Sequence, residues 1–138
     1  MSGFPFLSVR QSLIVLRVSI AGIFLAHAIV RLLLEGSVAQ FAGYLDNKGM
    51  VYGTAIVWAI TVFEIAGGIA MALGYATRWM AAGFILLLLT GIVLIHAERG
   101  WFTGEHGSGG CEYSFALIVS LLVIAAGGNE KFFKRKIQ

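Results

Sequence analysis

Four ionisable side chains lie inside segments that are otherwise apolar, namely Arg17, His27, Arg31 and Glu64. A charged group in hydrocarbon costs about 3 kcal/mol or more, so each of these must be paired, hydrated or functional. Arginine and histidine can donate hydrogen bonds to a ligand, and a carboxylate can accept and release a proton. We therefore take these residues as the first candidates for chemistry, with His27 and Glu64 as candidate catalytic groups.

The two arginines and the histidine belong to one segment and share one side of a helix. At 100° per residue, Arg17 and Arg31 lie within about 40° of each other, and His27 lies within about 80° of Arg17. This spacing predicts a polar stripe that faces the interior of a helical bundle. Glu64 lies in the next apolar segment, and we expect it to neutralise either Arg17 or Arg31.

Four apolar segments are candidates for membrane-spanning helices, because a bilayer core requires about 20 apolar residues in helix. The fourth is short, so we expect it to begin near Cys111 and to carry Glu112 in its first turn, at the positive end of the helix dipole. The fold class predicted is all-α, an integral membrane bundle of four transmembrane helices forming a single domain over 1–138. The expected helices cover about 11–34, 53–75, 79–96 and 111–128.

The composition supports a membrane protein and argues against a soluble one. Hydrophobic residues make up 59% of the chain and charged residues only 12%, against about 25% charged in ordinary globular proteins. The net charge of +3 does not indicate nucleic-acid binding, because the basic residues form no stripe. Arg17 interrupts the first apolar run, so we expect that run to be an uncleaved helix rather than a signal peptide.

Basic residues predict that both termini are cytoplasmic. The two termini and the turn between the second and third spans are expected on one side of the membrane. They contain Arg10, Arg78 and a C-terminal cluster of Lys131, Lys134, Arg135 and Lys136. The positive-inside rule places this set in the cytoplasm. The connections expected on the opposite side contain five acidic and two basic residues: Glu35, Asp46, Lys48, Glu98, Arg99, Glu105 and Glu112.

The connections predict one tight hairpin and two longer outer loops. Thr77 is the expected N-cap of the third span. The outer loops contain 41–45 and the glycine-rich stretch 100–110. His96, Glu112 and Tyr113 lie beside the second loop, and together with Arg31 they predict a polar pocket that opens outward from the bundle. We expect no metal site, because the histidines and carboxylates of this loop lack compact ligand spacing.

Small and sulfur-containing residues add two expectations. Gly67 and Gly68 follow Glu64 by one helical turn, and their lack of side chains predicts close helix packing. Cys111 is the single cysteine, so an intramolecular disulfide is impossible. Redox chemistry would therefore need a bound cofactor or a partner protein.

Four stretches of the sequence form a pattern by their order and spacing. They are FLAHAIVRL at 24–32, EIAGG at 64–68, GYATR at 74–78 and GGCEY at 109–113. Together they resemble the DoxX family of small bacterial and archaeal membrane proteins, and the similarity covers about residues 11 to 127. Ala28 stands where the family often has glycine, Arg31 replaces a common lysine, and the loop after Tyr44 lacks the usual proline.

The resemblance implies a four-helix protein of the bacterial or archaeal cytoplasmic membrane that acts as an oxidoreductase linked to quinone. In that interpretation His27 or Arg31 donates to the quinone head group and Glu64 carries protons, while a soluble or membrane partner supplies electrons. His96, Glu112 and Tyr113 would line the mouth of the site. The alternative is a non-catalytic scaffold, accessory subunit or assembly chaperone, which could also form a homo-oligomer.

Overall fold

A computed structural model describes residues 6–103 and 109–127. Within these ranges the chain forms five α-helices, and the last turns of α4 continue as a π-helix over Ile92–His96 and a 3₁₀ turn over Ala97–Arg99. The helices are α1 (Val9–Leu33), α2 (Ser37–Asn47), α3 (Gly53–Leu73), α4 (Thr77–Gly91) and α5 (Glu112–Gly127).

Three of the four predicted spans are confirmed as helices long and apolar enough to cross a membrane. They are Val9–Leu33, Gly53–Leu73 and the continuous helical run Thr77–Arg99. The fourth, Glu112–Gly127, is apolar but has 16 residues. It therefore measures about 24 Å, which is shorter than a bilayer core of about 30 Å.

The helices α1, α3, α4 and α5 form a ring in which each packs mainly on two of the others. α1 packs most extensively on α3 and also on α5, and α4 packs on α5 and α3. Arg17 lies against the end of α3 and Arg31 against its middle, so α1 and α3 are antiparallel. We call the end that carries α2 and residues 97–103 and 109–111 the loop end, and the end that carries the α3–α4 turn the turn end.

The centre of the bundle contains an apolar core cluster built around stacked aromatic rings. Phe24 of α1 and Phe84 of α4 stack with ring centroids 4.0 Å apart, and Phe63 lies 4.9 Å from Phe84. Gly67 and Gly68 are buried beside this core. A Cβ on Gly68 would lie 2.8 Å from Leu25 Cγ, which confirms the predicted close packing of α3 on its neighbours.

The segment predicted as the first outer loop is instead the helix α2, so that prediction was wrong. The helix lies between two glycines with positive φ, Gly36 and Gly49, where a residue with a Cβ would be strained. Its Ala42 and Leu45 are buried with Val57 of α3 in a second small core. This burial against α3 stabilises a helix that is too short to be stable alone.

Two contacts hold the start of α3 against α2. Asp46 accepts a hydrogen bond from the Gly53 backbone N–H at 2.8 Å, which satisfies one of the free donors at the helix start. A Cβ on Gly53 would collide with the Ala42 carbonyl oxygen. Glycine at position 53 is therefore a requirement of the close α2–α3 approach.

The structure at the turn end confirms the tight hairpin between α3 and α4, but the N-cap residue of α4 is not the predicted Thr77. Thr77 is the first helical residue of α4, and the N-cap is Ala76, which has φ +45° and makes no side-chain cap hydrogen bond. A left-handed conformation costs a non-glycine residue about 1 kcal/mol. Gly74 ends α3 in the same region with φ +83°, and the two left-handed residues together turn the chain within a few residues.

Candidate functional site

Arg31 and Glu64 form an ion pair between α1 and α3. Each Cβ tilts toward the N-terminus of its own helix, so the antiparallel arrangement aims these two side chains at each other. Arg31 Nη1 donates to Glu64 Oε2 at 2.7 Å. Of the two predicted partners of Glu64, the structure therefore selects Arg31.

Thr61 completes what we call the polar cluster, which consists of Arg31, Thr61 and Glu64. The Thr61 hydroxyl accepts a second hydrogen bond from Arg31 Nη1 at 2.9 Å and donates to the Val57 carbonyl at 2.8 Å. Both described bonds of the guanidinium come from the same nitrogen. Its Nη2 and Nε have no acceptor among the described residues.

The polar cluster lies just inside the surface of the bundle rather than deep within it. The side chains of Arg31 and Glu64 retain 13% and 7% exposure. On the α2 side, the Phe41 ring covers the guanidinium, with Arg31 Cζ 5.3 Å from the ring centroid. The cation–π contact stabilises the arginine in its present orientation.

His27 does not face the bundle interior, so the predicted stripe is wrong at this position. Its side chain is exposed, whereas Arg17 and Arg31 are partly buried. The buried face of α1 includes Phe24 and Ala28, and His27 is displaced by 100° from its neighbour Ala28. That rotation moves the imidazole to the outer surface, one turn before Arg31.

His96 and Glu112 form a second polar group with the backbone of the loop that joins α4 to α5. His96 Nδ1 is 2.6 Å from the Gly109 carbonyl oxygen, and Glu112 accepts from the Thr103 backbone N–H at 2.7 Å. Tyr113 is 45% exposed. None of the hydrogen bonds or ion pairs described for these residues reaches the polar cluster.

Two contacts connect α2 to the final turns of the α4 span. The Tyr44 hydroxyl donates to the Leu94 carbonyl at 3.1 Å, inside a π-helical segment where the regular helical bonding pattern is interrupted. Lys48 Nζ lies 2.6 Å from Glu98 Oε1. The hydrogen bond to Glu98 raises the pKa of the Lys48 ammonium above its ordinary value.

No pattern in the sequence indicates that Thr61 or Tyr44 would contact another helix. A threonine in an apolar helix usually bonds a carbonyl of its own helix, and Tyr44 was placed in a loop. No group of three or more metal-ligating side chains occurs within 6–103 and 109–127. Glu105 and His106 of the glycine-rich loop lie outside the described residues, as does the C-terminal basic cluster.

The chain matches a known protein family. A family model described as DoxX matches residues 12–97. This range contains both partners of the central ion pair and Thr61, and it ends just after His96. Neither the curated proteins nor the solved structures include a significant match to this chain.

Proposed function

This chain belongs to the DoxX family of membrane proteins, and we propose that it acts as a quinone-linked redox component of its membrane. The proposed ligand site is a pocket at the loop end, with the polar cluster at its base. We propose the cytoplasmic membrane of a bacterium or archaeon, with the turn end and both termini on the cytoplasmic side, on the basis of the positive-inside rule.

The observation that supports this proposal is that the Nη2 and Nε groups of Arg31 donate to no acceptor among the described residues. A guanidinium has five N–H groups, and both described bonds of Arg31 use Nη1. A quinone head group presents two carbonyl oxygens that accept hydrogen bonds. Nη2 and Nε are suited to donate to one of them, while the quinone tail lies along the apolar helices.

Glu64 would supply a proton when the bound quinone is reduced. Conversion of a quinone to a quinol takes up two electrons, here from the partner protein, and two protons. Glu64 would pass one proton to one carbonyl oxygen, and water at the loop end would supply the proton for the other. Glu64 uses only Oε2 in its described hydrogen bond, so Oε1 is left to carry and donate a proton. The reduced, negatively charged quinone would also attract the Arg31 guanidinium, whose Nη1 bonds Glu64.

The other predicted site residues would act at the edges of this site. His27 is exposed one turn before Arg31 and would contact a head group that approaches from the lipid side. His96, Glu112 and Tyr113 would line the mouth through the loop they support. Electrons would come from a partner protein, because a single cysteine offers no dithiol pair.

The test is the quinone content of protein purified in mild detergent with its lipids retained. We expect near-stoichiometric quinone after solvent extraction and chromatography. Arg31→Gln should lower the content by about tenfold, because a charge-assisted hydrogen bond contributes about 1.5 kcal/mol. Thr61→Val should have a smaller effect, since it removes one hydroxyl from the support of Arg31.

The matched control is Lys48→Gln, which breaks the other described ion pair at the loop end and should leave quinone content unchanged. A wild-type protein that carries no quinone and does not bind added quinone would refute the proposal. So would equal loss in Lys48→Gln and Arg31→Gln, because the loss would then reflect general disturbance of the loop end.

A second candidate function is a non-catalytic accessory subunit or scaffold. It is favoured by the bonds of His96 and Glu112, which both go to backbone atoms of the connecting loop and so have a structural effect without any ligand. In that case Glu64→Gln should still assemble with its partner membrane protein. Co-purification of the partner with Glu64→Gln, together with absence of quinone, would support this function.

A further inference from the structure

Arg17 is a cation of α1 that forms no ion pair with a carboxylate among the described residues. Its Nη2 reaches the Ala72 carbonyl at 3.5 Å, a distance at the limit of hydrogen bonding. Its Nε is buried and has no hydrogen-bond partner. The guanidinium lies over Gly74, where a Cβ would come within 2.9 Å of Nη1.

The surrounding helices offer no carboxylate to this arginine. The turn-end halves of the described helices contain neither aspartate nor glutamate, and the one acidic residue of α3 is Glu64, which pairs with Arg31. Arg78 adds a further exposed cation at the start of α4. The carbonyl end of α3 compensates one cation only in part, since a helix terminus carries about half a charge.

The aromatic side chains of the turn place the Arg17 guanidinium near the level of lipid head groups. Tyr75 and Trp79 are 77% and 78% exposed, and such residues concentrate at membrane interfaces. Arg17 itself tilts toward the N-terminus of α1, which is the turn end. Its charged group therefore extends from the apolar span toward the interface, as arginines near helix ends do.

We propose that the turn end binds the phosphate group of an anionic phospholipid through Arg17. Nη1 and Nη2 present the donors, and Gly74 provides the surface on which the guanidinium lies flat. Arg78 adds attraction for the same negative charge. The lipid supplies the counter-charge that the described part of the protein lacks.

The experiment compares lipid binding by native mass spectrometry of the purified full chain. Phosphatidylglycerol, which is anionic, is titrated against phosphatidylethanolamine, which is zwitterionic. The wild-type protein should retain phosphatidylglycerol preferentially. Arg17→Gln should reduce phosphatidylglycerol affinity about fivefold, the effect of one basic residue near a membrane surface, and Arg17→Lys should retain most of it.

Arg99→Gln is the matched control, because it removes one positive charge at the loop end and should leave the binding unchanged. Absence of a preference in the wild-type protein would overturn the proposal whatever the variants do. Equal weakening in Arg99→Gln would also overturn it, since the effect would then come from net charge. If inorganic phosphate displaced the lipid from wild-type protein, the site would bind free phosphate and its assignment to a lipid would be wrong.

Discussion

Replacement of Arg31 by methionine tests whether the central ion pair stabilises the bundle. The variant removes a 2.7 Å bond to Glu64 and a 2.9 Å bond to Thr61. It leaves a carboxylate with 7% exposure and no cation. Removal of one partner of a buried pair costs about 3–5 kcal/mol, and because the pair retains some exposure we expect about 3 kcal/mol.

The assay is equilibrium unfolding in mixed micelles, followed by circular dichroism. The double variant Arg31→Met with Glu64→Leu should regain most of the lost stability, because two apolar side chains in place of a buried pair are often neutral. Lys48→Met is the control and should have little effect, since its pair is exposed to solvent. The reasoning would be refuted if Arg31→Met were as mild as Lys48→Met, or if the double variant were less stable than the single one.

Two further predictions concern the packing of α2. Gly53→Ala should lower the free energy of unfolding by about 2 kcal/mol in the same assay, because its new methyl group would collide with the α2 backbone. Gly22→Ala, where a Cβ meets no atom within 4 Å, should be neutral or stabilising, and an equal loss in both would contradict the explanation. Tyr44→Phe removes the hydroxyl that bonds the Leu94 carbonyl and should cost about 1 kcal/mol. Tyr52→Phe, at a 73% exposed side chain, is its control, and increased amide hydrogen exchange of the π-helical segment should occur only in the Tyr44 variant.

Three of the spans were predictable because a single physical requirement, a long apolar helix, is visible directly in the sequence. The ion pair was predictable only in part. The sequence marked Glu64 as needing a cation, but Arg17 and Arg31 share a face of α1, and the choice between them depends on how α1 and α3 are offset along their axes. That offset is a property of the packed bundle, in which Gly68 lets α3 lie close to Leu25 of α1, and the spacing of residues along α1 alone does not determine it.

The errors have equally local causes. His27 lay at the edge of the predicted polar stripe, where the rotation of one residue decides between the interior and the lipid face. The α2 segment is short and contains glycine, so its helical state depends on burial against Val57 rather than on its own propensity. Thr61 has a hydroxyl that its own helix can satisfy, so its contact with Arg31 is visible only in three dimensions.

The stacked rings of Phe24 and Phe84 have a consequence for the electrical behaviour of the bundle. They lie between the loop-end ion pair and Arg17, in a core cluster made only of apolar side chains. No chain of described polar groups crosses this layer. If Glu64 carries protons as proposed, it exchanges them with the loop end alone, and the described part of the bundle offers no path for protons from one side of the membrane to the other.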